Sequence, residues 1–323
     1  MHCSGEEHAS QSYSDALLIG AHLPIEPADM TLWRRHATQL RSFPSASLSL
    51  LLLREDGAST GADATVATDH ASQLGMGVCV WRREMLLRRL PRLASTLADP
   101  EHPHARESDP HLQRYYYMHA SLLLWQEAVG VRAPASLRYI WRVEPDVLFS
   151  SPLPSLLTLS NASDADVLLP SYKHERRFPV RFGHWAANAN LSFLQGVPAN
   201  ERLHSLVSIG RFSLRFLRLM KTRYWATGCT GYEELLLPVA CKTASRGAGG
   251  FLCKLGAFGS NPWSPWEVPS LGIARMDHFR NRPEHTCSVF ANALARTTNE
   301  LWHPVKDRAC LATTGWSKWS GIT

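Results

Sequence analysis

Apolar residues along this chain fall into short dense runs separated by longer stretches of mixed character. Ala16-Leu17-Leu18-Ile19-Gly20 is the first run and ends at a glycine. Leu48 to Leu53 and Gly77 to Trp81 are the next two, and Ala165 to Pro170 is a later, shorter one. Such runs, too short for helices and lacking strict alternation, read as strands buried on both faces. Between them the spacing changes. Over Met30 to Arg41 the residues Leu32, Trp33, His36 and Leu40 fall on one face of a helix. Leu112 to Val129 is also expected to be largely helical, carrying Tyr115, Tyr116, His119, Leu122, Leu123 and Gln126.

Alternating strands and helices of this kind predict an α/β domain around a mostly parallel sheet. Its expected extent is residues 14–311, with residues 1–13 disordered and 312–323 a loose tail. Residues 55 to 73, rich in Gly, Ala, Thr and Asp, are expected to form a loop or insertion, and 97 to 111 a second loop. Pro and Trp crowd residues 260 to 285, which suggests irregular packing or a loop over a substrate.

Composition narrows the function classes. With 323 residues, 45% hydrophobic and 19% charged, the chain can bury a sizeable core. The formal charge is +6, but the basic residues are dispersed apart from Arg82, Arg83, Arg88, Arg89 and Arg92. No zinc-finger spacing or RNA-binding strand accompanies them, so no nucleic-acid partner is expected. An anionic small ligand accounts for the excess equally well.

The longest aliphatic run, Leu50 to Leu53, is far too short to span a bilayer, and the first fifteen residues lack the apolar core of a signal peptide. The expectation is either a cytoplasmic protein or, if an N-terminal anchor lies upstream, one in the Golgi or endomembrane lumen. Two glycosylation triplets, Asn161-Ala162-Ser163 and Asn190-Leu191-Ser192, would be usable in such a lumen. Seven cysteines without a CxxC pair argue against structural zinc. Five of them, Cys229, Cys241, Cys253, Cys287 and Cys310, lie in the C-terminal third, where either one or two disulfides or buried thiols fit.

Three acid-x-Asp triplets occur: Glu107-Ser108-Asp109, Glu144-Pro145-Asp146 and Asp164-Ala165-Asp166. Two carboxylates so spaced can hold a hard divalent ion, which neutralises a departing diphosphate. Context separates the three, because ligands in open α/β sheets gather at the carboxyl ends of strands. Glu144 and Asp146 follow the apolar Tyr139-Ile140-Trp141-Arg142-Val143, whereas Asp164 and Asp166 precede a strand and Glu107 and Asp109 lie in a polar loop. The middle triplet is therefore the candidate metal site.

The segment WRVEPDVLF resembles the DxD-type motif of GT-A glycosyltransferases, with Glu in the first position. It is similar to an ExD motif group of eukaryotic glycosyltransferases. That resemblance implies a GT-A-like, Rossmann-like domain using Mn2+ or Mg2+ and a nucleotide-sugar donor. Asp146 would ligate the metal, and Glu144 would serve the metal or the donor's ribose. Gly231-Tyr232-Glu233-Glu234-Leu235-Leu236-Leu237-Pro238 resembles the acidic helix start near the acceptor site in that group. Glu234, and behind it Glu233, would be the catalytic base for the acceptor hydroxyl; the alternative is that these acids serve only the helix dipole. Leu301-Trp302-His303-Pro304-Val305-Lys306 resembles the segment supplying a late histidine ligand, which assigns His303 to the metal and Lys306 to the diphosphate. His22, at the end of the first strand, would lie where the base and ribose bind. Gly183-His184-Trp185 would line the acceptor side.

The function so implied is transfer of a sugar from a nucleotide-diphosphate sugar to a glycan, protein or small-molecule hydroxyl. Two rivals remain at this stage. One is a carbohydrate-binding or degenerate transferase-like module without turnover, and the other is a metal-dependent phosphoesterase, which would need a richer ligand set.

Overall fold

The structure is a computed structural model and describes residues 2–4, 13–21, 25–43, 45–54, 61–106, 113–129, 134–174, 191–198, 201–244, 251–259, 268–274, 286–296 and 299–305. A nine-stranded sheet runs through it. Its strands are β1 (His2–Ser4), β2 (Asp15–Ala21), β3 (Ala46–Arg54), β4 (Gly77–Arg82), β5 (Tyr139–Val143), β7 (Val167–Leu169), β10 (Ile209–Ser213), β11 (Leu255–Gly259) and β12 (Ser270–Ala274). Two short ladders stand apart from it: β6 (Leu148–Phe149) with β13 (Leu301–Trp302), and β8 (Lys173–His174) with β9 (Leu203–His204). The strand order is β1-β4-β3-β2-β5-β10-β7-β11-β12. Pairing is parallel from β4 through β3 and β2 to β5, and again from β7 through β11 to β12. β10 is inserted antiparallel between β5 and β7, and β1 is antiparallel at the edge.

The sheet is covered on both sides, as parallel sheets require. Neighbouring residues of one strand enter opposite cores. Ile140, Val167 and Leu169 join the larger cluster, while Trp141 and Leu168 join the smaller one. The helices are α1 (Pro27–Leu40), α2 (Gly61–Gln73), α3 (Arg83–Arg89), α4 (Pro91–Ala98), α5 (Pro103–Arg106), α6 (Ser121–Val129), α7 (Leu153–Ser160), α8 (Leu214–Leu219), α9 (Glu233–Ala244) and α10 (Cys287–Ala295). α1 buries Leu32, Trp33, His36 and Leu40, the face its spacing predicts. A capping box in which the Glu26 backbone N–H donates to Asp29 starts it.

Three expectations change. The segment 55–73 contains α2, whose Ala67 and Ala71 pack against Ile19, Trp33 and Val78. Two small residues one turn apart let that helix sit close to the sheet, and this burial overrides weak intrinsic propensity. The segment expected to be disordered over residues 1–13 contains β1, whose pairing partner lies some 75 residues away and leaves no local pattern. Tyr115 to Tyr117 form a turn and α6 starts only at Ser121, so the helix expected from Leu112 is shorter. Residues 260–267 and 275–285, from the Pro- and Trp-rich region, and the tail 312–323 lie outside the described residues, as does Glu107-Ser108-Asp109.

Among the described residues no helix is long and apolar enough to cross a membrane. Cys241 and Cys253 form a disulfide between α9 and the segment leading into β11.

Candidate metal centre

β5 is the central parallel strand, and Glu144, Pro145 and Asp146 follow its last residue, Val143. The Glu144 N–H donates to the Ser208 carbonyl at 2.8 Å as the last bond of the pairing with β10, and the strand gives way to a turn where the Val147 N–H donates back to the Glu144 carbonyl at 3.1 Å. A tight acidic turn results at the carboxyl edge of the sheet.

The chain returns to this turn about 150 residues later. β13 pairs antiparallel with β6, setting Leu301 opposite Phe149 and Trp302 opposite Leu148. The ladder is extended by Ser150 N–H donating to the Glu300 carbonyl at 2.9 Å and Val305 N–H donating to the Asp146 carbonyl at 3.0 Å. Leu148, Trp302 and Val305 share a buried cluster with Leu32 of α1 and Phe290 of α10, which fixes the ladder against the body of the domain. His303, between these anchors, is 6% exposed and is carried directly over the acidic turn.

Its Nε2 lies 3.4 Å from Glu144 Oε2 and 3.6 Å from Asp146 Oδ1. One ligand atom from each of the three residues lies within 4.8 Å of the others, and this is the grouping of that kind found among the described residues. Adjacent ligands of an octahedral ion bound at about 2.1 Å sit about 3 Å apart, and the two contacts of His303 exceed this by only a few tenths of an ångström. On the far side of the imidazole, Nδ1 lies 3.3 Å from Ser208 Oγ. When Nδ1–H donates to that hydroxyl, the Nε2 lone pair faces the carboxylates, the orientation a metal ligand needs. Two hard oxygens and one imidazole suit Mn2+ or Mg2+ better than a thiolate-seeking metal.

A buried cation stands behind the turn. The Arg142 side chain, 4% exposed, ion-pairs through Nη1 with Glu233, itself 1% exposed at the start of α9. Its Nη2 is 3.7 Å from Glu144 Oε1 and has no hydrogen-bond partner among the described residues. Burial penalises the Arg142 charge, but Glu233 and Glu144 outweigh this and raise its pKa above the ordinary value. Burial pushes the Glu233 carboxyl up to about 7 against the pull of Arg142.

α9 is placed by two backbone hydrogen bonds and one close packing contact. Its first N–H, on Glu233, donates to the Tyr115 carbonyl at 3.0 Å. Gly231, just before it, packs so closely that a Cβ would lie 2.3 Å from Phe193 Cε1. Pro238 inside the helix has no N–H for the Glu234 carbonyl, and the Ser205 N–H fills that place at 2.9 Å. Glu234, next to the buried Glu233, is partly exposed. The Tyr115 phenol relates the two halves of the site. Burial, then the charges of Glu144 and Glu233, raise its pKa far above the usual value; Arg142 lowers it, and Glu234 raises it in turn.

The structure thus brings Glu144, Asp146 and His303 together, and sets Glu233 and Glu234 near them through Arg142 and Tyr115. His22, Lys306 and Gly183-His184-Trp185 lie outside the described residues. Asp164 and Asp166 stand at the beginning of β7, at the opposite end of the strands from the triad. Asp166 is buried and bound by Arg215, Ser213 and the Lys254 N–H, while the exposed Asp164 pairs with Lys254. The sequence reading missed Arg142 and Ser208. An arginine inside an otherwise apolar strand is a signal, since a buried guanidinium demands an acid partner. Ser208 carries no comparable mark.

No protein-family model matches the chain, and no curated relative does. Among solved structures, mouse xyloside xylosyltransferase 1 in its apo form aligns with 12% identity and a TM-score of 0.39, covering 90% of this chain and 97% of that one. Core-mannan synthase A from Aspergillus fumigatus, in a Mn/GDP form, aligns at 12% identity and TM-score 0.34, covering 71% of this chain and 69% of its own. The mannosyltransferase Ktr4p from S. cerevisiae, in complex with GDP, gives 12% and 0.33, covering 64% of this chain and 58% of its own. Scores this low describe a partial likeness of fold, and the functional reading stands on the geometry of the site.

Proposed function

We propose that this chain is a metal-dependent glycosyltransferase that moves a sugar from a nucleotide-diphosphate sugar to a hydroxyl acceptor. The observation that carries the reading is the convergence of Glu144, Asp146 and His303 at the carboxyl end of the central strand, with buried Arg142 behind them. A divalent ion bound there would supply the positive charge that stabilises a leaving diphosphate. Asp146 and Glu144 would hold it through oxygen and His303 through Nε2, with Ser208 fixing the imidazole. Lys306, three residues beyond His303, adds a cation for the diphosphate, and His22, one residue past the end of β2, meets the donor's base and ribose.

Glu234 is the base for the acceptor hydroxyl in a single displacement with inversion. It is partly exposed, whereas its neighbour Glu233 is buried and committed to Arg142. A carboxylate already engaged with a buried guanidinium is poorly placed to take a proton from an incoming alcohol. Glu233 therefore positions Arg142, and Glu234 does the proton transfer.

The test is a panel of nucleotide sugars incubated with the protein, with and without Mn2+, scored for release of the nucleoside diphosphate. Metal-dependent release from one donor, enhanced by a hydroxyl acceptor, supports the reading. Release of inorganic phosphate from phosphate esters without sugar transfer would point to a phosphoesterase. Binding without any release would point to a module lacking turnover.

A further inference from the structure

We propose that Asn161 is the acceptor of an N-linked glycan, added as the chain enters an oxidising secretory lumen. Asn161-Ala162-Ser163 is a complete triplet with a non-proline middle residue. Triplets arise by chance, so three features of the fold carry the assignment.

The first is the turn itself. α7 ends at Ser160, and Asn161 and Ala162 are both exposed in the turn that follows. The inward face of this turn is taken up by Arg211, a fully buried arginine on β10. Its guanidinium donates to the carbonyls of Ser160 at 2.6 Å, Ser163 at 2.7 Å and Ala165 at 3.4 Å, and lies 4.0 Å over the Tyr139 ring. Ser163 Oγ accepts the Ala165 N–H at 3.2 Å, tightening the exit. With its carbonyls drawn inward, the turn presents Asn161 and Ala162 as its outer surface. A large polar group attached there displaces only water.

The second feature is redox state. Cys241, wholly buried in α9, is disulfide-bonded to Cys253, and Cys79 of β4 is also disulfide-bonded. Disulfides persist in the secretory lumen and are rare where thiol reductants act. The same compartment holds the machinery that glycosylates asparagine.

The third is position relative to the metal triad. β5 and β7 are both antiparallel to β10, so they run parallel to one another. The triad follows the end of β5, and the Asn161 turn precedes the start of β7. The two sites therefore lie at opposite ends of the strands, and a glycan at Asn161 stands away from the triad.

In the reaction, Asn161 Nδ2 attacks C1 of an oligosaccharide carried on a polyisoprenyl diphosphate. The N–C1 bond forms, the bond from C1 to the diphosphate oxygen breaks, the lipid diphosphate departs, and one amide proton passes to the host transferase. Nothing in this inference depends on the chain's own transferase activity.

The test uses the full chain behind a cleavable secretion leader in cultured eukaryotic cells, with N190Q introduced so that one triplet remains. Peptide-N-glycosidase treatment in heavy-oxygen water should convert residue 161 to a labelled aspartate and increase gel mobility. Both N161Q and S163A should abolish the mobility change. Addition takes place on the nascent chain, so retained, misfolded protein in the lysate is scored equally. An unmodified Asn161 peptide in both lysate and medium, or a mobility change that survives N161Q, overturns the proposal.

Discussion

Glu233 and Glu234 are neighbours with opposite surroundings, and substitutions should separate them. From the helix start alone, loss of Glu233 would be expected to cost about 0.3–1 kcal/mol through the helix dipole. The buried pair with Arg142 changes that figure. Glu233→Ala strands a guanidinium that is almost fully enclosed, and removing one partner of a buried pair costs about 3–5 kcal/mol. Urea unfolding of that variant should show a loss of this size, and a loss under about 1 kcal/mol would mean that Arg142 finds another partner. Glu234→Gln keeps the shape and removes the base. It should lower the transfer rate by roughly 10²–10⁴ while leaving donor affinity nearly unchanged. If Glu234→Gln retains the full rate and a stable Glu233→Gln loses it, the base moves by one residue. If both retain it, the inverting mechanism falls.

At the scale of elements, the site depends on how the two returning segments are anchored. β6 and β13 bring His303 over the acidic turn, and this was legible only through the likeness of Leu301 to Lys306 to a family segment. No local pattern announces a two-residue strand whose partner is about 150 residues away. The position of Glu144 and Asp146 was legible for a physical reason: a strand buried on both faces is an apolar run, and its end is visible where the polarity changes. α9 was visible as an acidic start before a leucine run, but the contact that seats it was not. Gly231→Ala places a Cβ 2.3 Å from Phe193 Cε1, so the start of α9 must shift. Overpacking of this kind costs typically about 1–3 kcal/mol. Thermal unfolding should show that loss together with a lowered transfer rate, and a second change, Phe193→Leu, should recover part of both. Full stability and rate in Gly231→Ala would show that α9 is not held by this contact.

Across the whole molecule, buried histidines make the fold sensitive to acid. Burial lowers the pKa of His36, His119 and His204 to about 3. In the unfolded chain each takes up a proton below about pH 6.5. The stabilisation is complete above that value and is lost progressively as pH falls from there toward the folded value, by about 1.4 kcal/mol per histidine per pH unit. Two units below pH 6.5 the three together remove about 8 kcal/mol, on the order of the stability of a whole domain. Urea midpoints of metal-free protein should therefore be flat above pH 7 and fall steeply below 6.5. Midpoints unchanged between pH 7 and 5 would contradict the burial of these rings. The sheet order was readable only in part: alternating runs and helices announce a parallel α/β sheet, but β1, α2 and the antiparallel β10 arise from long-range pairing that composition does not encode.

Binding of a nucleoside diphosphate by calorimetry, with and without Mn2+, tests the central claim most directly. Three proteins are needed: the native chain, Asp146→Ala, and Asp164→Asn as the control acid pair. Asp164 is preferred to Asp166, which is buried in its own network and would perturb folding if removed. The account predicts metal-dependent binding in the native chain and in Asp164→Asn, and none in Asp146→Ala at equal thermal stability. Binding of equal strength in Asp146→Ala, or in the native chain without any divalent ion, would contradict it.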